Sequence, residues 1–402
     1  MSNLIEIDLN EAIKNKIDKS KWVKLKFSDL VENIVEKVVP KDSGLEHYIG
    51  LKHLDSGSFK IRRYGETASL IGDKLKIYKN DIIFAKRNAY LKRVAIADFD
   101  AVVSAHSMVL RPRIQNVLPE FLPFFLLSEL FWKKAIEISV GSLSPTINWK
   151  SLAKQEFLLP LKEEQTKIAK LFWSINEMIE ADIQLLSKTQ SLYLSLIEKE
   201  LINTSSKKTL FSTLGDVIKG VGYKPNELLD SYDKNSCILL RANNIFNEKI
   251  NYDDIKILNV NKIKSEQFLQ DYDYAICMSN GSKDLVGKSA IYKNNLKNVT
   301  IGSFCACFRP KDKYFSDILR HLFASNSYRH IIKKTLSGSA INNLKPSDIE
   351  SLSLRINFEM KNFNYLIKKL NALSDNKLQI ENSIKISKQL LKSTINQIFN
   401  VI

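Results

Sequence analysis

Pro160-Leu161-Lys162-Glu163-Glu164-Gln165 opens a run to Asn203 that holds no glycine and no further proline. Apolar residues recur along it at Ile168, Leu171, Ile175, Met178, Leu185, Leu192 and Leu196. Steps of three, four and seven place them on one seam of a long helix. At about 1.5 Å per residue, some forty residues make a rod of roughly 60 Å. No ordinary domain needs such a helix for its own core, so the rod is expected to act as a spacer.

The segments before and after the rod repeat one another. Phe27-Ser28-Asp29-Leu30 has its counterpart in Phe211-Ser212-Thr213-Leu214. A strand at Tyr48-Ile49-Gly50-Leu51 corresponds to Ile238-Leu239-Leu240-Arg241, and Asp81-Ile82-Ile83-Phe84-Ala85 to Asp273-Tyr274-Ala275-Ile276-Cys277. Val94-Ala95-Ile96 matches Ser289-Ala290-Ile291, and Arg111-Pro112 matches Arg309-Pro310. One helix is expected from Phe121 to Ile138 and another from Tyr314 to Lys334, followed by turns at Gly141-Ser142 and Gly338-Ser339. Landmarks that keep their order while their spacing drifts mark a duplicated unit with divergent loops. A second seam then follows at Phe363, Leu366, Leu370, Leu373, Ile380, Ile384, Leu391 and Ile398. Asp182 interrupts the first seam and Lys377 the second.

The expected class is α+β: two repeated mixed α/β domains, each followed by a long helix, with the helices pairing as an antiparallel coiled coil. The boundaries are a lead-in over 1–20, a first head over 21–160, a long helix over 161–205, a second head over 206–357 and a second long helix over 358–402.

The chain of 402 residues carries a net charge of +16. Residues 21–160 hold 22 basic and 15 acidic residues, and residues 206–357 hold 23 and 15. Nearly all of the excess therefore sits on the two heads. Basic globular surfaces suit a polyanion, most simply nucleic acid, although a lysine-rich surface alone gives the same count. No apolar run has the length of a membrane span. Glu6, Asp8, Glu11 and Asp18 argue against a signal peptide. Four scattered cysteines (Cys237, Cys277, Cys305 and Cys307) suit a reducing cytoplasm.

Two loops carry the candidate contacts. In the first head, Lys86, Arg87, Asn88, Tyr90, Lys92 and Arg93 follow a strand; in the second, Ser279, Asn280, Lys283 and Lys288 do. Arg62, Arg63, Arg241, Asn243 and Asn244 are further candidates. Lysine and arginine neutralise phosphates, arginine also reads guanine, and asparagine reads adenine. Solvated hairpin tips are the competing interpretation. Gly281 to Ser289 only mimics a phosphate loop, with five residues between its glycines instead of four and a strand expected after it. Cys305 and Cys307 share one strand face as a core pair, and the five histidines have no metal-ligand spacing. His106 is expected as a polar core or interface residue without a catalytic role. The chain has no Pro-Pro pair and hence no amino-methyltransferase motif, no helicase phosphate loop and no evident nuclease cluster. It is expected to bind rather than to catalyse.

Leu158-Leu159-Pro160, then Glu164-Gln165 and Ile168, resembles the boundary motif that opens the central helix in the specificity subunit of type I restriction–modification enzymes. Gly141-Ser142 with Ile147-Asn148 resembles that family's approach to the boundary. The second boundary, Leu354 to Met360, lacks both the proline and the Glu-Gln pair. The resemblance implies two target recognition domains reading the halves of a bipartite site in double-stranded DNA, with the helices setting the gap. It implies docking of two methyltransferase subunits and recruitment of restriction subunits with a translocase motor. S-adenosylmethionine, ATP and Mg are then expected on those partners, and no cofactor or metal on this chain. An orphan or other methylation-system subunit, or a coiled-coil interaction scaffold, remains an alternative.

Overall fold

The computed structural model describes residues 19–246, 248–293, 296–337 and 342–400. The lead-in, except for Lys19 and Ser20, and the Gly338-Ser339 turn lie outside the described residues. The chain forms two compact units. The first runs to Gln184 and takes in the chain again from Glu381; the second is Leu185–Ile380.

The first unit contains β1 (Val23–Lys26), β2 (Val31–Ile34), β3 (Lys37–Val38), β4 (His47–Ile49), β5 (Gly65–Glu66), β6 (Lys74–Ile77), β7 (Ile82–Ala85), β8 (Val94–Ile96), β9 (Ala101–Val103), β10 (Ser107–Pro112) and β11 (Glu156–Leu159). The second contains β12 (Lys208–Leu210), β13 (Gly215–Lys219), β14 (Ser236–Leu240), β15 (Ile245–Phe246), β16 (Lys249–Ile250), β17 (Lys256–Asn259), β18 (Tyr274–Cys277), β19 (Ser289–Ile291), β20 (Val299–Ile301), β21 (Cys305–Pro310) and β22 (Ser353–Arg355). Each unit holds a four-stranded sheet in the same order, β2-β10-β7-β8 and β13-β21-β18-β19. Each also closes its ends with a two-stranded ribbon, β1-β11 or β12-β22. The ordered landmarks of the sequence are thus structural counterparts.

These sheets are buried on both faces, because alternate residues feed two cores. Ile82, Phe84, Met108 and Leu110 face an aromatic core that includes Phe27, Phe124, Phe125, Phe131 and Phe157. Ile83, Ala85 and Val109 face a smaller aliphatic one. In the second unit Tyr274, Ile276, Ala306 and Phe308 face one core, while Ala275, Cys277, Cys305 and Cys307 face the other. Cys305 and Cys307 therefore do share a face, as free buried thiols. Burial pushes the Cys305 thiol up to about 12, so it stays protonated at neutral pH.

A tight turn precedes the equivalent strands β7 and β18. Asn80 and Tyr272 both sit at φ +75°, and the following Asp81 and Asp273 accept from the N–H of Tyr78 (3.0 Å) and Gln270 (2.8 Å). Arg111 closes on Asp81 at 2.8 and 3.0 Å; Arg309 closes on Asp273 at 2.8 Å. The Arg-Pro landmarks thus supply the arginine that neutralises a buried carboxylate.

The helix expected from Phe121 to Ile138 is two helices, Leu122–Leu127 and Glu129–Glu137. That expected from Tyr314 is Lys313–Ala324 and Asn326–Ser337. The breaks fall at Ser128 and Ser325, both buried and extended (ψ 146° and 150°). Each serine oxygen accepts the backbone N–H three residues on, Phe131 at 3.2 Å and Tyr328 at 2.9 Å, and so caps the second helix.

The long helices are Lys162–Leu196, continued by a π turn over Ile197–Leu201, and Phe363–Asn400. In the first unit Ile168, Ala169, Phe172, Ile175 and Ile179 share a core with Leu391, Ile395, Ile398 and Phe399. In the second, Tyr193, Ile197 and Leu201 share one with Phe363, Leu366, Ile367 and Leu370. The start of each helix meets the end of the other, which is antiparallel pairing. Ser383 also donates to Asp182 at 2.8 Å, and Lys377 is buried against Glu248 at 2.6 Å.

The first seam needs correction. Leu171, Met178, Leu185 and Leu192 are exposed, between 37% and 51%. The buried stripe lies one residue on, at Phe172, Ile179 and Tyr193. Large aromatic rings there bury more area than leucine and set the rotation of the helix. Leu196 is half-buried. In the second seam Phe363, Leu366, Leu370, Leu391 and Ile398 are buried, and Leu373, Ile380 and Ile384 half-buried.

Candidate nucleic-acid interface

The boundary motif has a direct physical role. Gln165 is buried, donates to the carbonyls of Pro160 (2.9 Å) and Asn116 (3.3 Å), and accepts from Leu118 N–H (2.8 Å). Glu164 accepts from the indole of Trp22 at 3.0 Å. The motif thus fastens the helix start to its own head.

In the first unit the loop after β7 is held at the first residue of its basic run. Lys86 N–H donates to His106 O at 3.2 Å, and Lys86 O accepts from Ile147 N–H at 2.9 Å. Asn88 (φ +55°) and Lys92 (φ +48°) flank a single 3-10 turn, Ala89–Leu91, which leaves Tyr90 58% exposed. Arg87 lies 3.3 Å from the His106 ring. Partial burial and the cations Arg87, Lys86 and Lys74 lower the His106 pKa, and burial lowers that of Lys86. His106 is exposed at a turn, which excludes the core placement and leaves the interface one.

Lys92 and Arg93 do not share this freedom. Lys92 is ion-paired with Glu129, and Arg93 is buried with its guanidinium on Leu51 O at 2.6 Å. Arg62 is held by Ser58 at 2.8 Å and by the Glu180 carboxylate at 2.6 Å, and Arg63 by Asp55. In the second unit Arg241 and Asn243 both bond Asp254, at 2.7 and 2.9 Å. Asn244 is buried and ties three backbone groups: Arg241 N–H (2.7 Å), Asn251 O (2.8 Å) and Asp254 O (3.0 Å). These seven residues hold loops in place.

Ser279 makes a backbone bridge with Asn343, and Asn280 accepts from Ser282 N–H at 3.0 Å. Lys283 reaches Ser337 at 3.4 Å, and Lys288 is half-buried. No helix follows Lys288-Ser289; Ser289–Ile291 is strand β19, so the phosphate-loop mimic has the wrong geometry. Arg329, which the sequence did not single out, pins this loop through the carbonyls of Val286 (2.6 Å), Asp284 (3.0 Å) and Lys283 (3.2 Å).

Among the described residues no group of three or more His, Cys, Asp or Glu side chains stands close enough to hold a metal ion. No helix among them is long and apolar enough to cross a membrane.

Residues 19–187 match the family model of the type I restriction modification DNA specificity domain. The chain is 34% identical over 145 residues to the EcoKI specificity subunit of Escherichia coli (strain K12), and 33% identical over 145 residues to the StySPI specificity subunit of Salmonella potsdam. Each match covers 36% of this chain and 31% of the relative, so it spans about a third of those proteins. A crystal structure of the type I restriction-modification system S subunit from M. genitalium shares the fold, with a TM-score of 0.56 and 14% identity. It aligns over 97% of this chain and 99% of that one. Over residues 19–187 this chain is therefore similar to the DNA specificity domain of type I restriction–modification specificity subunits.

Proposed function

We propose that this chain is the DNA-reading subunit of a cytoplasmic type I restriction–modification assembly and is not itself catalytic. Each unit reads one half of a bipartite site in double-stranded DNA. The domain boundaries follow the sequence: heads over 21–160 and 206–357, helices over 161–205 and 358–402. The helices set the gap and dock two methyltransferase subunits, which bring S-adenosylmethionine, while restriction subunits bring ATP- and Mg-dependent translocation. The observation that carries this proposal is the same four-stranded sheet in both units, with a polar loop leaving the same strand in each. Leu171, Met178, Leu185 and Leu192, exposed at seven-residue spacing along the central helix, offer an apolar stripe to a partner subunit.

Single-molecule methylation mapping of host DNA with and without the gene tests the proposal. A bipartite motif with a fixed gap should vanish on deletion; an unchanged methylation pattern would refute it. A second test separates the basic residues. Replacing Lys86 and Arg87 by Ala should flatten the log–log salt dependence of DNA affinity by about 2, since each phosphate contact contributes ~0.9. Replacing Lys92 and Arg93 should leave that slope unchanged, because both are engaged inside the unit. Equal slopes for the two double variants would exclude Lys86 and Arg87 as phosphate contacts.

A further inference from the structure

A corner joins β9 to β10 and another joins β20 to β21, and the two are equivalent. Ser107 N–H donates to Ser104 O at 2.9 Å, and Cys305 N–H to Gly302 O at 2.8 Å, closing turns whose central pairs are Ala105-His106 and Ser303-Phe304. Ser104 N–H bonds Ile49 O at 3.0 Å, and Gly302 N–H bonds Leu240 O at 2.8 Å, so each corner is tied to the neighbouring parallel strand. The apex carbonyl of each accepts from the candidate reading loop: His106 O from Lys86 N–H (3.2 Å), Phe304 O from Met278 (2.8 Å) and Ser279 (3.2 Å). The second corner is braced further by Gly220, where a Cβ would fall 2.2 Å from Gly302 O.

We infer that His106 and Phe304, the exposed apex residues of these corners, contact base edges and help set the sequence read by each unit. This rests on the DNA-reading function proposed above and names residues that the loop sequences alone did not. An isolated exposed phenylalanine is ordinary, and 68% exposure of Phe304 by itself carries nothing. The equivalence carries it: both apices are exposed and rigidly backed, and both are fastened to the polar loop. Their surroundings are donor-rich. The charged groups acting on His106 are Arg87, Lys86 and Lys74, all cationic. The loop that Ser279 N–H fastens to Phe304 O goes on to Asn280 and Lys283. The chemistry of the two apices differs. An imidazole next to a guanidinium suits the hydrogen-bonding edge of a purine; a phenyl ring suits the methyl group of thymine.

The test is methylation mapping in host cells that carry the full chain as wild type, His106→Ala, Phe304→Ala or the control Phe246→Ala, an exposed residue of β15 that belongs to neither corner. Phe304→Ala should relax discrimination about tenfold or more at a base pair of one half-site, and His106→Ala likewise in the other half-site only. The control should leave the motif intact. A wild type without any bipartite motif would refute the DNA-reading function itself. A wild-type motif that both alanine variants reproduce unchanged would overturn the inference alone. Thermal melting of each purified chain screens for misfolding. If an alanine variant melts early, His106→Asn or Phe304→Leu takes its place and is judged by the same half-site result.

Discussion

Phe399→Ala should destabilise the first unit by about 3–5 kcal/mol, the usual cost of removing a buried phenyl ring. Phe399 lies near the end of the chain, yet only 2% of it is exposed. Its ring meets Trp22 at 6.3 Å, Phe121 at 5.7 Å and Phe125 at 5.5 Å between centroids. Leu391, Ile395 and Ile398 complete the same core. The final turns of the terminal helix are therefore part of the first head. The chain's own composition supplies the readout. All four tryptophans, at 22, 132, 149 and 173, lie in the first unit, and all four cysteines lie in the second. Tryptophan fluorescence in urea follows one unit, and labelling of the buried thiols follows the other. With m of about 1–3 kcal/mol/M, the fluorescence midpoint should fall by roughly 2 M while thiol protection keeps its midpoint. A shift of both transitions together would mean that the units do not unfold independently, and no shift would mean that Phe399 is not a core residue.

That contribution from a distant helix marks a limit of the sequence. Strand order was legible because the strands are short apolar runs that recur in the same order, bounded by Asp and Arg-Pro landmarks. The rods were legible from their period. Rotation about the rod was not, because it turned on Phe172 and Tyr193 outweighing Leu171 and Leu192. Nor did the pattern show the breaks at Ser128 and Ser325: a serine inside an apolar run becomes a cap only when packing forces its backbone to extend. The charged candidates divided for a similar reason. Arg62 meets a carboxylate 118 residues away and Lys92 one 37 residues away, and no local pattern encodes such partners. The candidate loops stood out by their composition. Of the corner apices, His106 stood out only as a core or interface residue and Phe304 not at all, since the equivalence of the two corners lies in their backbone hydrogen bonds.

Arg309→Ala should strongly destabilise the second unit, and it probes what the duplication preserved. Asp273 has a side chain only 2% exposed and accepts from Gln270 N–H at 2.8 Å, which locks the turn that launches β18. Arg309 neutralises it and also donates to Phe268 O at 2.7 Å and Glu266 O at 3.2 Å. Removing the guanidinium leaves a buried carboxylate uncompensated, which costs about 3–5 kcal/mol. Thiol labelling should advance to lower urea while tryptophan fluorescence stays in place. The equivalent Arg111→Ala should cost less, about 1–3 kcal/mol. Its side chain is 45% exposed against 20% for Arg309, so water can reach the carboxylate once it is gone. Adding Asp273→Asn to Arg309→Ala should restore about 1–2 kcal/mol, because the double variant no longer buries a lone charge. A double variant no more stable than Arg309→Ala would show that the loss came from the guanidinium's bonds to the two carbonyls. The pair would then matter as a clamp on the loop before β18, with charge compensation secondary.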